Sequence, residues 1–216
     1  MPLHTHLALR CLELTPQTPS RGNVVLLHGR GASLEDMVSL VDDMQFPARH
    51  LLFDATHPLP MGEHYQGRSW YHRTGDDVQG LDESVKKLRE SLNALDVDAT
   101  RTVVVGFSQG AAMALSVVLA SEKTPAGLCM LSGYIPQADA LNERRERIQN
   151  LYSLLVHGIH DDVVSFKDGL HALDALAAHG ARARLVALPT SHWIPVEAVV
   201  ELRRFLGERL PEAGTA

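Results

Sequence analysis

The chain has 216 residues, 45% of them hydrophobic and 21% charged, with a formal net charge of −6. This suits a single domain spanning residues 1–216 with a sizeable core, and it excludes a disordered protein. The mild acidity and scattered charges argue against nucleic acid or an anionic membrane as the main partner.

The N-terminal segment M1-P-L-H-T-H-L lacks the basic-then-apolar pattern of a secretion signal. No apolar run approaches the roughly 20 residues needed to cross a bilayer, so stable membrane association is not expected. Cys11 and Cys129 sit in apolar, strand-like contexts and read as reduced, packed thiols. A cytoplasmic setting is expected.

In chain order, Leu3–Leu14 alternates loosely, as an edge hairpin would. Asn23–His28 reads as a buried strand, Ser33–Met44 as a helix opened by Ser33 and Asp36, and His50–Phe53 as the next strand. Residues 54–80 then break the pattern. This long segment is rich in Gly, Pro and aromatics, and it reads as an irregular pocket wall at the carboxyl edge of the sheet. Helical spacing covers Val78–Leu95, Gln109–Glu122, Ser165–His179 and Pro195–Arg209. The strands Thr102–Gly106, Gly127–Ser132, Leu151–His157 and Arg184–Leu188 intervene, and a short charged helix falls within Asp139–Asn150. Ser165 with Asp168 is a second capping pair, and Pro195 suits a first helical turn. Such alternation predicts an α/β fold: a mostly parallel central sheet, helices on both faces, and no large cap domain.

The pentapeptide G106-F-S-Q-G110 stands where a valine-rich strand gives way to an alanine- and leucine-rich helix. A G-x-S-x-G sequence in that context is a nucleophile turn. So sharp a turn forces Ser108 into a strained backbone conformation and leaves no room for side chains two residues away on either side. A serine hydroxyl needs a base, usually a histidine held by a carboxylate. In this architecture the chain order is serine, acid, histidine. Of the histidines after Ser108, only His192 falls between the last strand's end and the following helix, so His192 is assigned as the base. Asp161 and Asp162 both lie just past the preceding strand, and position does not separate them. The N–H groups of Gln109 and of Arg30, in the glycine-rich loop after the first central strand, are the expected oxyanion donors.

Competing readings are weaker. A dinucleotide loop at G29-R-G-A-S-L34 fails because leucine occupies the third glycine position. His28 reads as a hydrogen-bonded strand-end residue. Twelve histidines invite a metal, with His4 and His6 on one strand face and His57, His64 and His72 in the long segment. No H-E-x-x-H or cysteine cluster supports one, and neither a metal nor another cofactor is expected. An inactive hydrolase fold used as a binding module is the alternative of another class.

The segments L27-H-G-R-G-A, G106-F-S-Q-G, L131-S-G-Y-I-P, H157-G-I-H-D-D-V-V and S191-H-W resemble the phospholipase/carboxylesterase branch of the α/β-hydrolases, which includes acyl-protein thioesterases. The resemblance runs from about Val24 to the C-terminal helix and implies an α/β-hydrolase fold that works without a metal or organic cofactor. The family spacing of His-Gly, two residues, then the catalytic Asp selects Asp161 over Asp162. It also places leucine where Arg30 stands here. The implied enzyme is a serine esterase acting on short- to medium-chain carboxylic esters through an acyl-enzyme, with lysophospholipase or acyl-protein thioesterase as the alternative. Activity should rise with pH as His192 loses its proton. Trp70, Tyr71 and Ile135 are assigned to the substrate pocket. The partner is a small-molecule ester, and an exposed apolar patch near the site would allow a homodimer.

Overall fold

The computed structural model describes residues 2–60, 62, 66–74 and 77–212. The chain opens with an edge hairpin, β1 (Leu3–His4) antiparallel to β2 (Cys11–Leu14). β3 (Asn23–Leu27) then starts the core, followed by a 3-10 turn at Leu34–Met37, α1 (Val38–Met44) and β4 (Arg49–Phe53). The expected Ser33 helix is thus split. Its first turn is tightened where the Asp36 carboxylate accepts from both the Ser33 N–H (2.8 Å) and the Ser33 hydroxyl (2.9 Å).

The segment read as irregular is two antiparallel hairpins. β5 (His57–Pro60) pairs with β6 (Gln66–Ser69), and β7 (His72–Thr74) pairs with β8 (Asp77–Gln79). Val78 belongs to that last strand, not to the helix predicted from it. α2 (Leu81–Ala94) begins after Gly80, whose φ of 84° ends the hairpin in a conformation glycine adopts freely.

The alternation then runs as predicted. β9 (Thr102–Phe107) leads into α3 (Gln109–Ala120), and β10 (Gly127–Leu131) into two short helices, α4 (Ala138–Glu143) and α5 (Arg145–Ile148). β11 (Tyr152–Gly158), α6 (Phe166–Ala178), β12 (Arg182–Leu188) and α7 (Val196–Arg209) complete it. Pro195 caps α7 from outside instead of occupying its first turn.

Eight strands form one sheet in the order β1-β2-β4-β3-β9-β10-β11-β12, parallel from β4 to β12. Side chains alternate between faces along each strand, so neighbouring valines and leucines feed separate cores. Val25, Val104, Leu128 and Leu155 meet α2, α3 and α6 on one face. Val24, Val103, Cys129 and Leu154 meet α1 and α7 on the other. Burying both faces leaves polar side chains only the strand ends, and the carboxyl edge is where the chemistry collects.

Candidate active site

Ser108 sits between β9 and α3 with φ 55° and ψ −118°. That is a positive-φ conformation outside the left-handed helical basin, and it costs a non-glycine residue about 1–3 kcal/mol. The two flanking glycines serve different contacts. A Cβ on Gly106 would stand 2.1 Å from the Gly110 carbonyl oxygen, across the turn as expected. A Cβ on Gly110 would instead stand 2.1 Å from the Leu27 oxygen and 2.5 Å from that of His28, on the neighbouring strand. The second glycine therefore lets α3 press its first turn against the end of β3.

The structure brings three of the predicted residues together. His192 Nε2 lies 2.9 Å from Ser108 Oγ, and His192 Nδ1 lies 2.7 Å from Asp161 Oδ2. The Asp161 carboxylate is buried, and its other oxygen accepts the N–H groups of Val163 (3.0 Å) and Val164 (2.9 Å). Burial alone would push this carboxyl up. The hydrogen bond from His192 and the two backbone N–H groups outweigh it and hold the carboxyl below its ordinary value. An ionised Asp161 can only accept, so His192 carries its proton on Nδ1 and offers the Nε2 lone pair to the Ser108 hydroxyl. Asp162 is exposed and makes no hydrogen bond to His192.

The N–H groups of Arg30 and Gln109 have no backbone acceptor among the described residues. Gln109 is the first residue of α3, where an N–H has no partner within the helix. Both flank a cleft of about 810 Å³ that also exposes Ser108, His192, Ile135 and Val163. Such a constellation can attack a carbonyl carbon and receive the negative oxygen that results.

Trp70 and Tyr71 do not line this cleft. Both are fully buried, with their polar atoms already taken by protein partners. The Trp70 indole N–H donates to the His28 carbonyl (2.8 Å), and the Tyr71 hydroxyl meets that of Tyr134 at 2.6 Å. Tyr134 and Phe107 take the lining positions instead, with the Phe107 ring against His192 at 4.9 Å. Both had a signal in the sequence, Phe107 as the residue before Ser108 and Tyr134 within the L131-S-G-Y-I-P segment.

The hairpin of β5 and β6 is hydrogen-bonded to the loop after β3 that carries Arg30. The Gly31 N–H donates to the Arg68 carbonyl (2.8 Å), and the Arg68 N–H donates to that of Ala32 (3.0 Å). Among the described residues no group of three or more His, Cys, Asp or Glu converges as metal ligands. His57 and His72 stack at 5.1 Å, His4 bonds Glu13, and His64 lies outside the described residues. No helix among the described residues is long and apolar enough to cross a membrane.

A profile of the Phospholipase/Carboxylesterase family matches residues 14–209. The chain belongs to this family. Within and around the family it is 27% identical over 215 residues to a probable carboxylesterase SOBER1-like from Arabidopsis thaliana, covering 91% of this chain and 82% of that one. It is 25% identical to acyl-protein thioesterase 1 homolog 1 from Dictyostelium discoideum, covering 90% and 93%. Among solved structures, that of esterase PE8 superposes with a TM-score of 0.83 at 27% identity, covering 94% of this chain and 99% of that one. The α/β-hydrolase architecture of the family, without a separate cap domain, is the one described above.

Proposed function

We propose that this family member is a serine carboxylesterase acting on small-molecule esters of short to medium acyl chain through an acyl-enzyme. The observation that carries the reading is the continuous relay from Asp161 through His192 to a strained Ser108, at 2.7 and 2.9 Å. His192 Nε2 takes the Ser108 proton as Oγ bonds the acyl carbon. The carbonyl oxygen, now anionic, is held by the N–H groups of Arg30 and Gln109. Collapse breaks the ester C–O bond, and the imidazolium gives its proton to the departing alcohol. A water deprotonated by the same nitrogen then hydrolyses the acyl-serine. Throughout, Asp161 holds the ring in one orientation and stabilises its charged form.

The cleft is open to solvent, with no inserted lid among the described residues, which favours dissolved esters over aggregated lipid. A thioester offers the same carbonyl with a better leaving group, and a relative named as an acyl-protein thioesterase supports that second reading. Two free, buried thiols support a reducing, cytoplasmic setting. Exposed Val163, Trp193 and Val196 near the site are the apolar surface on which a homodimer would form.

A fluorophosphonate probe tests the chemistry. It should label the parent protein and not Ser108→Ala; labelling that persists would place the nucleophile elsewhere. Rates over p-nitrophenyl esters from acetate to palmitate, beside an acyl thioester, then fix acyl length and leaving group.

A further inference from the structure

The two oxyanion donors belong to different parts of the chain, one in the loop after β3 and one at the start of α3. Trp70, on a third segment, touches the supports of both. Its indole N–H donates to the His28 carbonyl (2.8 Å), and its ring lies against the His28 imidazole with centroids 5.4 Å apart. Its backbone N–H donates to the side-chain oxygen of Gln109 (2.9 Å). The Gln109 amide nitrogen in turn donates to the Tyr71 carbonyl (2.8 Å), so the side chain of the second donor spans Trp70 and Tyr71 from the N–H of one to the carbonyl of the other. Trp70 and His28 are fully buried and Gln109 nearly so.

His28 carries the connection to the first donor. Its Nε2 accepts the Ala55 N–H (3.0 Å), which leaves the proton on Nδ1 to be donated to the Gly29 carbonyl (2.7 Å). Burial pushes this imidazole's pKa down, in keeping with a neutral ring. The Gly29 carbonyl and the Arg30 N–H belong to one planar trans peptide and point in opposite directions. Holding that oxygen on the His28 side therefore aims the Arg30 N–H the other way, toward the cleft.

We propose that Trp70 is a positioning residue that, through His28 on one side and Gln109 on the other, fixes the mutual orientation of the Arg30 and Gln109 N–H groups. The inference rests on the esterase reading above. Direct packing of Gly110 on Leu27 and His28 brings the two segments close; Trp70 sets their rotation relative to each other. An oxyanion forms only as the reaction proceeds, so a misaligned pair of donors slows the chemical step and leaves substrate binding nearly intact.

Trp70→Phe keeps the buried ring and deletes the indole N–H. Its kcat on p-nitrophenyl butyrate should fall about 10- to 100-fold, with KM within about threefold, as for donors displaced by a fraction of an ångström. Affinity for an alkyl trifluoromethyl ketone, whose adduct with Ser108 carries the oxyanion, should fall by the same factor. His28→Asn, whose side-chain NH₂ can stand where Nδ1–H stood, should retain more kcat than His28→Leu, although both lose the Ala55 contact. A Trp70→Phe protein with parental kcat and ketone affinity overturns the proposal, whatever its thermal stability. So does a loss confined to KM. A parent that neither hydrolyses the ester nor takes up a fluorophosphonate overturns the esterase reading itself; an active parent with an indifferent Trp70→Phe variant overturns only this role.

Discussion

His157 and Asp161 stand four residues apart, and both side chains close on Val164. His157 Nε2 donates to the Val164 carbonyl (2.9 Å), while Asp161 Oδ1 accepts the Val164 N–H (2.9 Å). The imidazole nitrogen and the other Asp161 oxygen are 3.6 Å apart. The loop after β11 is thus clamped from both sides of one residue, and the clamp holds the acid facing His192.

That geometry separates two adjacent carboxylates. Asp161→Asn should lower kcat by about 10³- to 10⁴-fold, because the amide no longer holds His192 in the required tautomer. Asp162→Asn, at an exposed position, should change it by no more than about twofold. Steady-state rates of the two variants decide the matter; a larger loss in the Asp162 variant would reverse the assignment.

The strain at Ser108 is a stability statement as well as a feature of the proposed chemistry. Ser108→Gly and Ser108→Ala should both be inactive, yet the glycine variant should be the more stable. At φ 55° glycine escapes a cost of about 1–3 kcal/mol, against roughly 0.4–1 kcal/mol lost to its freedom in the unfolded chain. Urea midpoints measured side by side would show the difference, and an alanine variant of equal or greater stability would refute it.

His50 predicts a loss of stability in acid. Burial lowers its folded pKa to about 4, and its Nε2 has no hydrogen-bond partner among the described residues. Above about pH 6.5 the ring is neutral in both states and costs nothing. As the pH falls from there toward 4, the unfolded chain binds a proton that the folded one refuses, so stability drops by up to about 3 kcal/mol. His50→Leu should flatten that decline between pH 6.5 and 4.5, as followed by urea denaturation. A parallel decline in both proteins would remove His50 as its cause.

The two thiols should be silent until the fold opens. Burial pushes Cys11 up to about 12 and Cys129 higher still, and both are free. Ellman's reagent should titrate none in the native protein at pH 8 and both in guanidinium. A native-state reaction would mean that one of the faces opens locally.

The strand–helix rhythm was legible because valine- and leucine-rich runs that must be covered on both faces have no other arrangement. The meeting of Ser108, His192 and an aspartate was legible for a chemical reason: serine needs a base, the base needs an acid, and all must leave strands at one edge; only the family spacing singled out Asp161, the one that bonds His192. What escaped depends on distant partners. Pro58 and Pro60 disguised β5, since proline is depleted in strands and only pairing with Gln66–Ser69 reveals it. Trp70 and Tyr71 looked like pocket walls because they are aromatic and close to the site in sequence. Whether such a ring points into a cleft or beneath it is decided by Gln109, His28 and Tyr134, tens of residues away. The second glycine of the nucleophile turn was rightly seen as obligatory, but its neighbour is β3, which the pentapeptide does not contain.

The paired hydrogen bonds joining Arg68 to Gly31 and Ala32 tie the hairpin of β5 and β6, which lends the cleft no lining residue, to the Arg30 loop that does line it. A new hairpin grafted there would reach the cleft only through that loop, whose Arg30 N–H is the proposed oxyanion donor, so it would disturb the proposed chemistry without reshaping the lining. Among the described residues, the lining residues Ile135, Val163 and His171 have no backbone hydrogen bond to that loop. Libraries aimed at new esters belong at those three positions.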